Sequence, residues 1–119
     1  MFGAMNKGLY DDFLSYFDDG LVFVHSTGEL NKGELAGFYQ VIDTIFRGHR
    51  HEIERTIVER NSVVVECTWS GTHTGAYQGI KPSHRSFEMP EVWILDFTEG
   101  KVAHALRLAD NNVFTKLAD

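Results

Sequence analysis

EVWILDFTEGKVAHALRLAD, residues 91–110, sets two apolar runs on either side of a four-residue turn and closes on a carboxylate. Thr98, Glu99, Gly100 and Lys101 supply the turn, and Gly100 accepts a positive φ without steric cost, so the flanking runs pair as a β-hairpin. Asp110 ends the second strand. An ionisable group at the rim of an apolar surface is costly unless it is paired or used, which makes Asp110 the first functional candidate. The alternative is that Asp110 caps the closing segment NNVFTKLAD, because Asp before a helix is a common N-cap.

Around this hairpin, 119 residues of which 43% are hydrophobic are enough for one compact domain spanning residues 1–119. Eleven Lys and Arg against seventeen Asp and Glu give a net charge of −6, with no basic stretch, so nucleic acid and anionic membranes are not expected partners. Cys67 is the only cysteine, which excludes an internal disulfide and points to a reducing, cytoplasmic setting. No apolar run approaches the roughly 18 residues of a membrane span. The abrupt helical start at Met1-Phe2 leaves open that residues precede it.

Along the chain, Phe2, Met5 and Leu9, then Phe13, Leu14, Tyr16 and Phe17, predict two short helices broken at Gly8, with Asp11 and Asp12 in the first turn of the second. LVFVHS, residues 21–26, reads as a buried strand ended by His25, a candidate pocket residue whose alternative is a structural histidine. Asn31 and Glu34 form a capping box for a helix that carries Leu35, Phe38, Tyr39, Ile42, Ile45 and Phe46 on its apolar side and ends near Gly48. The Tyr39 hydroxyl is a pocket candidate, with plain core packing as the alternative.

His49 to Arg60 reads as a half-wet strand. Its histidines, His49 and His51, are expected to flank a turn without a carboxylate partner at metal-binding spacing, so no metal site is expected. The next run places Val63, Val65, Cys67 and Trp69 on one face and Val64, Glu66, Thr68 and Ser70 on the other. Ala76 to Arg85 is a loop. In the strand that follows, Glu88 shares a face with Val92 and Ile94, whereas Glu91 shares the other with Met89 and Trp93. Pro90 marks an edge or a bulge. Helices first and an antiparallel meander last predict an α+β fold, a curved sheet wrapped against helices around a pocket.

Gly71-Thr72-His73-Thr74-Gly75, a loop holding Gly79 and Pro82, Gly100-Lys101-Val102 and, eight residues on, Asp110 resemble the pattern of SnoaL-like polyketide cyclases. These belong to the nuclear-transport-factor-2-like superfamily of cone-shaped α+β domains. The strand entry Phe17-Asp18-Asp19-Gly20-Leu21-Val22-Phe23 resembles that family as well. The resemblance implies a cofactor-independent domain that takes a small hydrophobic, carbonyl-bearing ligand, with Asp110 as acid/base of an aldol closure or isomerisation. A carboxylate in an apolar pocket has a raised pKa suited to moving protons on and off carbon and oxygen.

Candidate pocket residues are His25, Tyr39, Trp69, Glu88 and Trp93. His104 shares strand parity with Asp110 but stands about 20 Å from it along an ideal strand, and Arg107, of opposite parity, is expected on the outer face. His73 is expected to be structural. Epoxide-hydrolase relatives need an Arg-x-Asp pair where this chain has Glu66-Cys67-Thr68, so that activity is not expected. The resemblance also implies a homodimer through the outer face of the sheet. From a different functional class, the same fold serves as a non-catalytic binding or dimerisation module.

Overall fold

In a computed structural model that describes residues 1–26, 28–76 and 81–109, three helices lie against one six-stranded sheet. The chain runs α1 (Phe2–Asn6), α2 (Tyr10–Leu14), β1 (Phe17–His25), β2 (Gly28–Leu30), α3 (Lys32–Ile45), β3 (Phe46–Glu59), β4 (Ser62–His73), β5 (Ser86–Thr98) and β6 (Lys101–Ala109). The strand order is β2-β1-β6-β5-β4-β3, antiparallel except for the β1–β6 pair. This is the α+β architecture expected from the order of elements, with β2 added where Gly28 was read only as a stop.

The hairpin across the Thr98–Lys101 turn forms as expected. Glu99 and Gly100 both have positive φ, and Thr98 faces Lys101 across the turn. A positive φ at both central positions is the backbone that matches the twist of paired strands. The Asn31–Glu34 capping box is complete, each side chain bonding the other residue's backbone N–H. From there α3 crosses the concave side of the sheet, packing on β1 and β2 at one edge and on β3 at the other. It buries Leu35, Tyr39 and Ile42.

Three local expectations are corrected. The helix stops at Ile45 rather than near Gly48. Gly48 keeps its positive φ of 67° but spends it inside β3, where the register to β4 slips between Arg47 and Arg50. That slip is a bulge, and it turns both His49 and His51 inward along one strand, so they do not flank a turn. Pro90 lies in a central strand whose pairing with β4 runs without a slip, not at an edge or bulge. It sits one residue before Glu91↔Ala109, the end of the described β6 ladder, so its missing N–H breaks no described β5–β6 pair.

The core is aromatic. Phe2, Phe13, Phe17, Phe23, Phe46, Phe87, Trp69 and Trp93 are all buried, and Trp93 meets the rings of Phe2 and Phe23 edge-on at 5.0 and 5.4 Å. Edge-to-face contacts of this kind add about 0.5–1.5 kcal/mol each beyond burial. At the helix end, Thr74 and Gly75 donate their N–H groups to the Ile45 carbonyl, tying the GTHTG turn to α3. His73 Nδ1 takes the Ser83 N–H at 3.2 Å and lies 3.0 Å from the Ser83 hydroxyl.

Gly75 is required by close approach. A Cβ there would stand 2.8 Å from the Thr44 oxygen and 2.9 Å from the Ile45 Cα, both backbone. Gly75→Ala is therefore expected to lower stability by about 1–3 kcal/mol, the usual cost of overpacking a rigid contact. Chemical denaturation of the variant checks this, and an unchanged midpoint would show that the α3 terminus yields.

Candidate functional site

Alternation along three neighbouring strands delivers one polar cluster to the concave side. On β5, Met89, Glu91, Trp93 and Leu95 are buried; on β4, Val65, Cys67 and Trp69; and on β6, Val102 and Ala105. Arg107 pairs with Trp93 in register and so shares this inner face. That corrects its expected outward placement: the strand turns His104, Leu106 and Leu108 outward instead, and His104 lies 3.6 Å from Asp96 on the exposed side.

Glu91 is the hub. Its carboxylate accepts from Trp93 Nε1 at 2.9 Å and from the Cys67 thiol at 3.8 Å, forms an ion pair with Arg107, and lies 2.9 Å from His51 Nε2. The His51 approach is close in distance but off the line of a directed hydrogen bond. Burial alone would raise this carboxyl; contacts from His51, Arg107 and Trp93 outweigh it and hold the group at about 2. Glu91 is thus ionised at neutral pH and, with every oxygen engaged, is a poor proton acceptor. Its negative charge keeps an Arg guanidinium inside an aromatic core. Arg107 also lies over the Trp69 ring, 5.3 Å from its centroid, in cation–π geometry.

A second chain of contacts fixes Trp69. Its Nε1–H donates to His49 Nδ1 at 3.0 Å, which requires that nitrogen to be unprotonated. The other nitrogen, Nε2, then carries the hydrogen and donates it to Asp43 on α3, which also accepts from the Tyr10 hydroxyl. Burial pushes the His49 pKa down, against the pull of Asp43, so the ring is neutral. Both of its nitrogens are occupied, which makes it a strut between helix and sheet. Burial, followed by the negative charge of Glu91, pushes the Cys67 thiol up to about 12, so it is inert.

The residues singled out from sequence fall in different places. Tyr39, Trp69 and Trp93 are buried on the concave side. His25, half-buried at the end of β1, has its ring 5.3 Å from that of Phe38; burial and then the charge of Arg107 lower its pKa. Glu88 is corrected: strand alternation turns it outward, into an open groove with Arg47, Ser70, Thr72 and Ser86, while its neighbours Phe87 and Met89 are buried. Asp110 and the tail that follows it lie outside the described residues.

Sequence reasoning missed Glu91, His49, His51 and Arg107 as interior groups. The signal for Glu91 was present, an acid sharing parity with Met89 and Trp93. For Arg107 it was the register of the hairpin, which needs the length of the turn. Among the described residues no group of three or more His, Cys, Asp or Glu could hold a metal ion, and no helix is long and apolar enough to cross a membrane.

The sign of the Glu91 shift fixes an acid dependence. A carboxyl held at about 2 when folded, against 4.5 as its ordinary value, contributes stability that is fully present above about pH 4.5 and is lost as pH falls toward 2. The contribution is on the order of 3 kcal/mol. Denaturation midpoints measured from pH 6 to pH 2 should fall steeply across that window. In Glu91→Gln the acid limb should flatten, while stability at neutral pH drops because Arg107 loses its buried counter-charge.

Comparison with known proteins agrees with this architecture. The sequence profile of the SnoaL-like polyketide cyclases matches residues 3–114. Among solved structures, TsrD from Streptomyces laurentii superposes with a TM-score of 0.87 at 17% identity, covering 98% of this chain and 87% of that one. IdmH from Streptomyces antibioticus gives 0.86 at 17% identity, covering 98% and 91%. A SnoaL-like polyketide cyclase from Agrobacterium tumefaciens gives 0.82 at 13% identity, covering 99% and 91%. No curated protein matches by sequence. At these identities the structural likeness speaks for the nuclear-transport-factor-2-like fold, and the profile match across nearly the whole chain speaks for descent: the chain belongs to the SnoaL-like polyketide cyclase family.

Proposed function

We propose that this chain binds a small hydrophobic, carbonyl-bearing molecule on the concave side of its sheet and acts on it without a cofactor, as a cyclase or isomerase. The observation that carries this reading is the buried Glu91–Arg107 pair set among Trp69, Trp93 and Tyr39. A few fixed polar groups in a largely aromatic interior are what a site for an apolar ligand with one or two oxygens requires. A core built for stability alone gains little from such a pair, because desolvating two charges offsets their attraction. The single buried thiol, Cys67, accords with work in the cytoplasm.

In this reading Asp110, directly after Ala109 in the chain, is the acid/base. Its carboxylate removes a proton from the carbon beside the ligand's carbonyl, and the electron pair moves onto the carbonyl oxygen as an enolate. In a cyclase the enolate carbon then attacks a second carbonyl of the same molecule, and Asp110 returns the proton to the resulting alkoxide. In an isomerase the proton returns to a different carbon. His25, Tyr39, Trp69 and Trp93 are the proposed contacts to the ligand.

A panel of aromatic and polyketide-like ketones, offered to wild type and to Asp110→Asn, tests the assignment. Binding should persist in the variant while turnover falls by about 100-fold or more, the usual weight of a general acid/base. Equal turnover would remove Asp110 from the chemistry. Binding without turnover by wild type would favour the non-catalytic module instead.

The proposed homodimer has support of its own. Val24, Leu106, Ile94, Val64 and Ile57 stand in one register row across β1, β6, β5, β4 and β3. All five lie on the face opposite Trp69, Trp93 and Ala105, and Leu108 and Val22 widen the row with exposed apolar surface. A second copy seated there would cover the stripe. Light scattering should report a dimer for wild type, and Ile94→Glu should raise the dimer dissociation constant by about 100-fold or more while the monomer stays folded.

A further inference from the structure

β3 is an edge strand, and Asn6 marks the phase of its open side. The Asn6 side chain takes both backbone groups of His51, the carbonyl at 2.8 Å and the N–H at 2.7 Å, so this residue turns its peptide groups away from β4. In an antiparallel pair such residues recur at every second row. β4 pairs with β5 without a slip, so its own alternation is unbroken and the rows can be counted along it. From Trp69, opposite His51, the count passes Cys67 and reaches Val65 and Val63, which face Thr56 and Val58. Thr56 and Val58 therefore direct their N–H and C=O groups to the open edge. Every residue from 53 to 59 is exposed, Val58 at 67%.

The side chains beside these groups determine what fits them. Arg55, Ile57 and Glu59 lie on one face of the strand, and Thr56 and Val58 on the other. This segment is its own complement. When a second copy runs antiparallel about a two-fold axis at Ile57, Thr56 of each strand meets Val58 of the other, and each such pair exchanges both N–H···O bonds. Arg55 then stands opposite Glu59 on both sides of the axis, and Ile57 meets Ile57. Moving the axis to Thr56 or to Val58 keeps the backbone phase but sets Ile57 against Arg55 or against Glu59. The Ile57 axis alone of the three matches charge with charge and apolar with apolar. Glu59 has no ion-pair partner among the described residues, while Arg55 is held from the β4 side by Glu66, Nε to Oε2 at 3.1 Å.

We propose that residues 55–59 of β3 form a self-association surface, at which a second copy of this chain pairs about Ile57 and joins two six-stranded sheets edge to edge. The contact uses an edge of the sheet, whereas the outer-face homodimer uses a face, and neither depends on the other. It closes after two copies, because each strand consumes the open edge of its partner. Asn6 bounds it by occupying the rung at His51. A patch of five residues a side falls below the roughly 1,200 Å² of a standard interface, which makes the contact weak, with a dissociation constant on the order of 100 µM.

Sedimentation equilibrium on Ile94→Glu, which takes the outer-face stripe out of play, reads the edge contact alone. Its mass should climb from one copy toward two as the concentration passes about 100 µM. Thr56→Pro, added to that chain, removes an N–H that bonds only across the edge and leaves the β3–β4 ladder whole, so the dissociation constant should rise about tenfold or more. Glu59→Arg and Arg55→Glu should each stay monomeric alone, since like charges then face each other on both sides of the axis. Mixed in equal amounts they should associate, because one copy of each sets opposite charges together at both places. Ile57→Cys should give a covalent dimer on mild oxidation and Ile53→Cys should not, as only the residue on the axis meets its own copy. Cys67 is buried and takes no part.

A single copy of Ile94→Glu at every concentration up to about 1 mM, tenfold above the expected midpoint, would overturn the edge pairing. Association that survives both Thr56→Pro and the two charge variants would do the same, and so would equal cross-linking through Ile53→Cys and Ile57→Cys. If Thr56→Pro does not fold, the mixing and cross-linking results decide alone.

Discussion

The ion pair between Glu91 and Arg107 constrains everything near the concave centre of this protein. Burying either charge alone would cost several kcal/mol, so each requires the other, and both require donors and rings around them. Trp93 and Cys67 complete the carboxylate on one side, and the Trp69 face covers the guanidinium on the other. Trp69 in turn needs the neutral His49, and His49 needs Asp43 on α3. The helix that crosses the sheet is therefore coupled to the interior charge through three side chains, and the register of β3 must place His49 inward for that coupling to exist.

That requirement explains why the outline of the fold was easier to read than its interior. The hairpin turn at Glu99-Gly100, the Asn31–Glu34 capping box and the two-helix start broken at Gly8 each depend on residues within a few positions of one another. Local chemistry is enough to find such features. The interior cluster draws on β3, β4, β5 and β6, and its composition depends on register. The bulge near Gly48 reverses which residues of β3 face inward, and the irregularity between Asp96 and Phe97 sets the phase of β6. Parity counted from an inward Asp110 sent Arg107 outward, whereas its register with Trp93 puts it on the inner face.

Glu88 and Glu91 show the same limit on a smaller scale. Both are acids in one strand, three positions apart, and strand alternation must place them on opposite faces. Trp93 was read as interior, and Glu91 shares its parity, so the pattern itself favoured Glu91. Choosing by residue type rather than by face selected the exposed one. Asp110 lies outside the described residues, and its proposed part in the chemistry stands on family resemblance.

The contact between Asn6 and β3 has a consequence for how the chain avoids its neighbours. β3 is the long edge strand of the sheet, and edges with open backbone groups recruit strands from other molecules. The Asn6 side chain both donates to the His51 carbonyl, at 2.8 Å, and accepts its N–H, at 2.7 Å, imitating one rung of a seventh strand. Farther along, Glu52, Glu54, Arg55 and Glu59 place charge beside the exposed Ile53, Ile57 and Val58. Because Asn6 leaves the ribosome well before His51, the piece that seals this edge is already present when the strand it seals first forms. An edge that is plugged from within its own chain during synthesis spends little time as a template for aggregation.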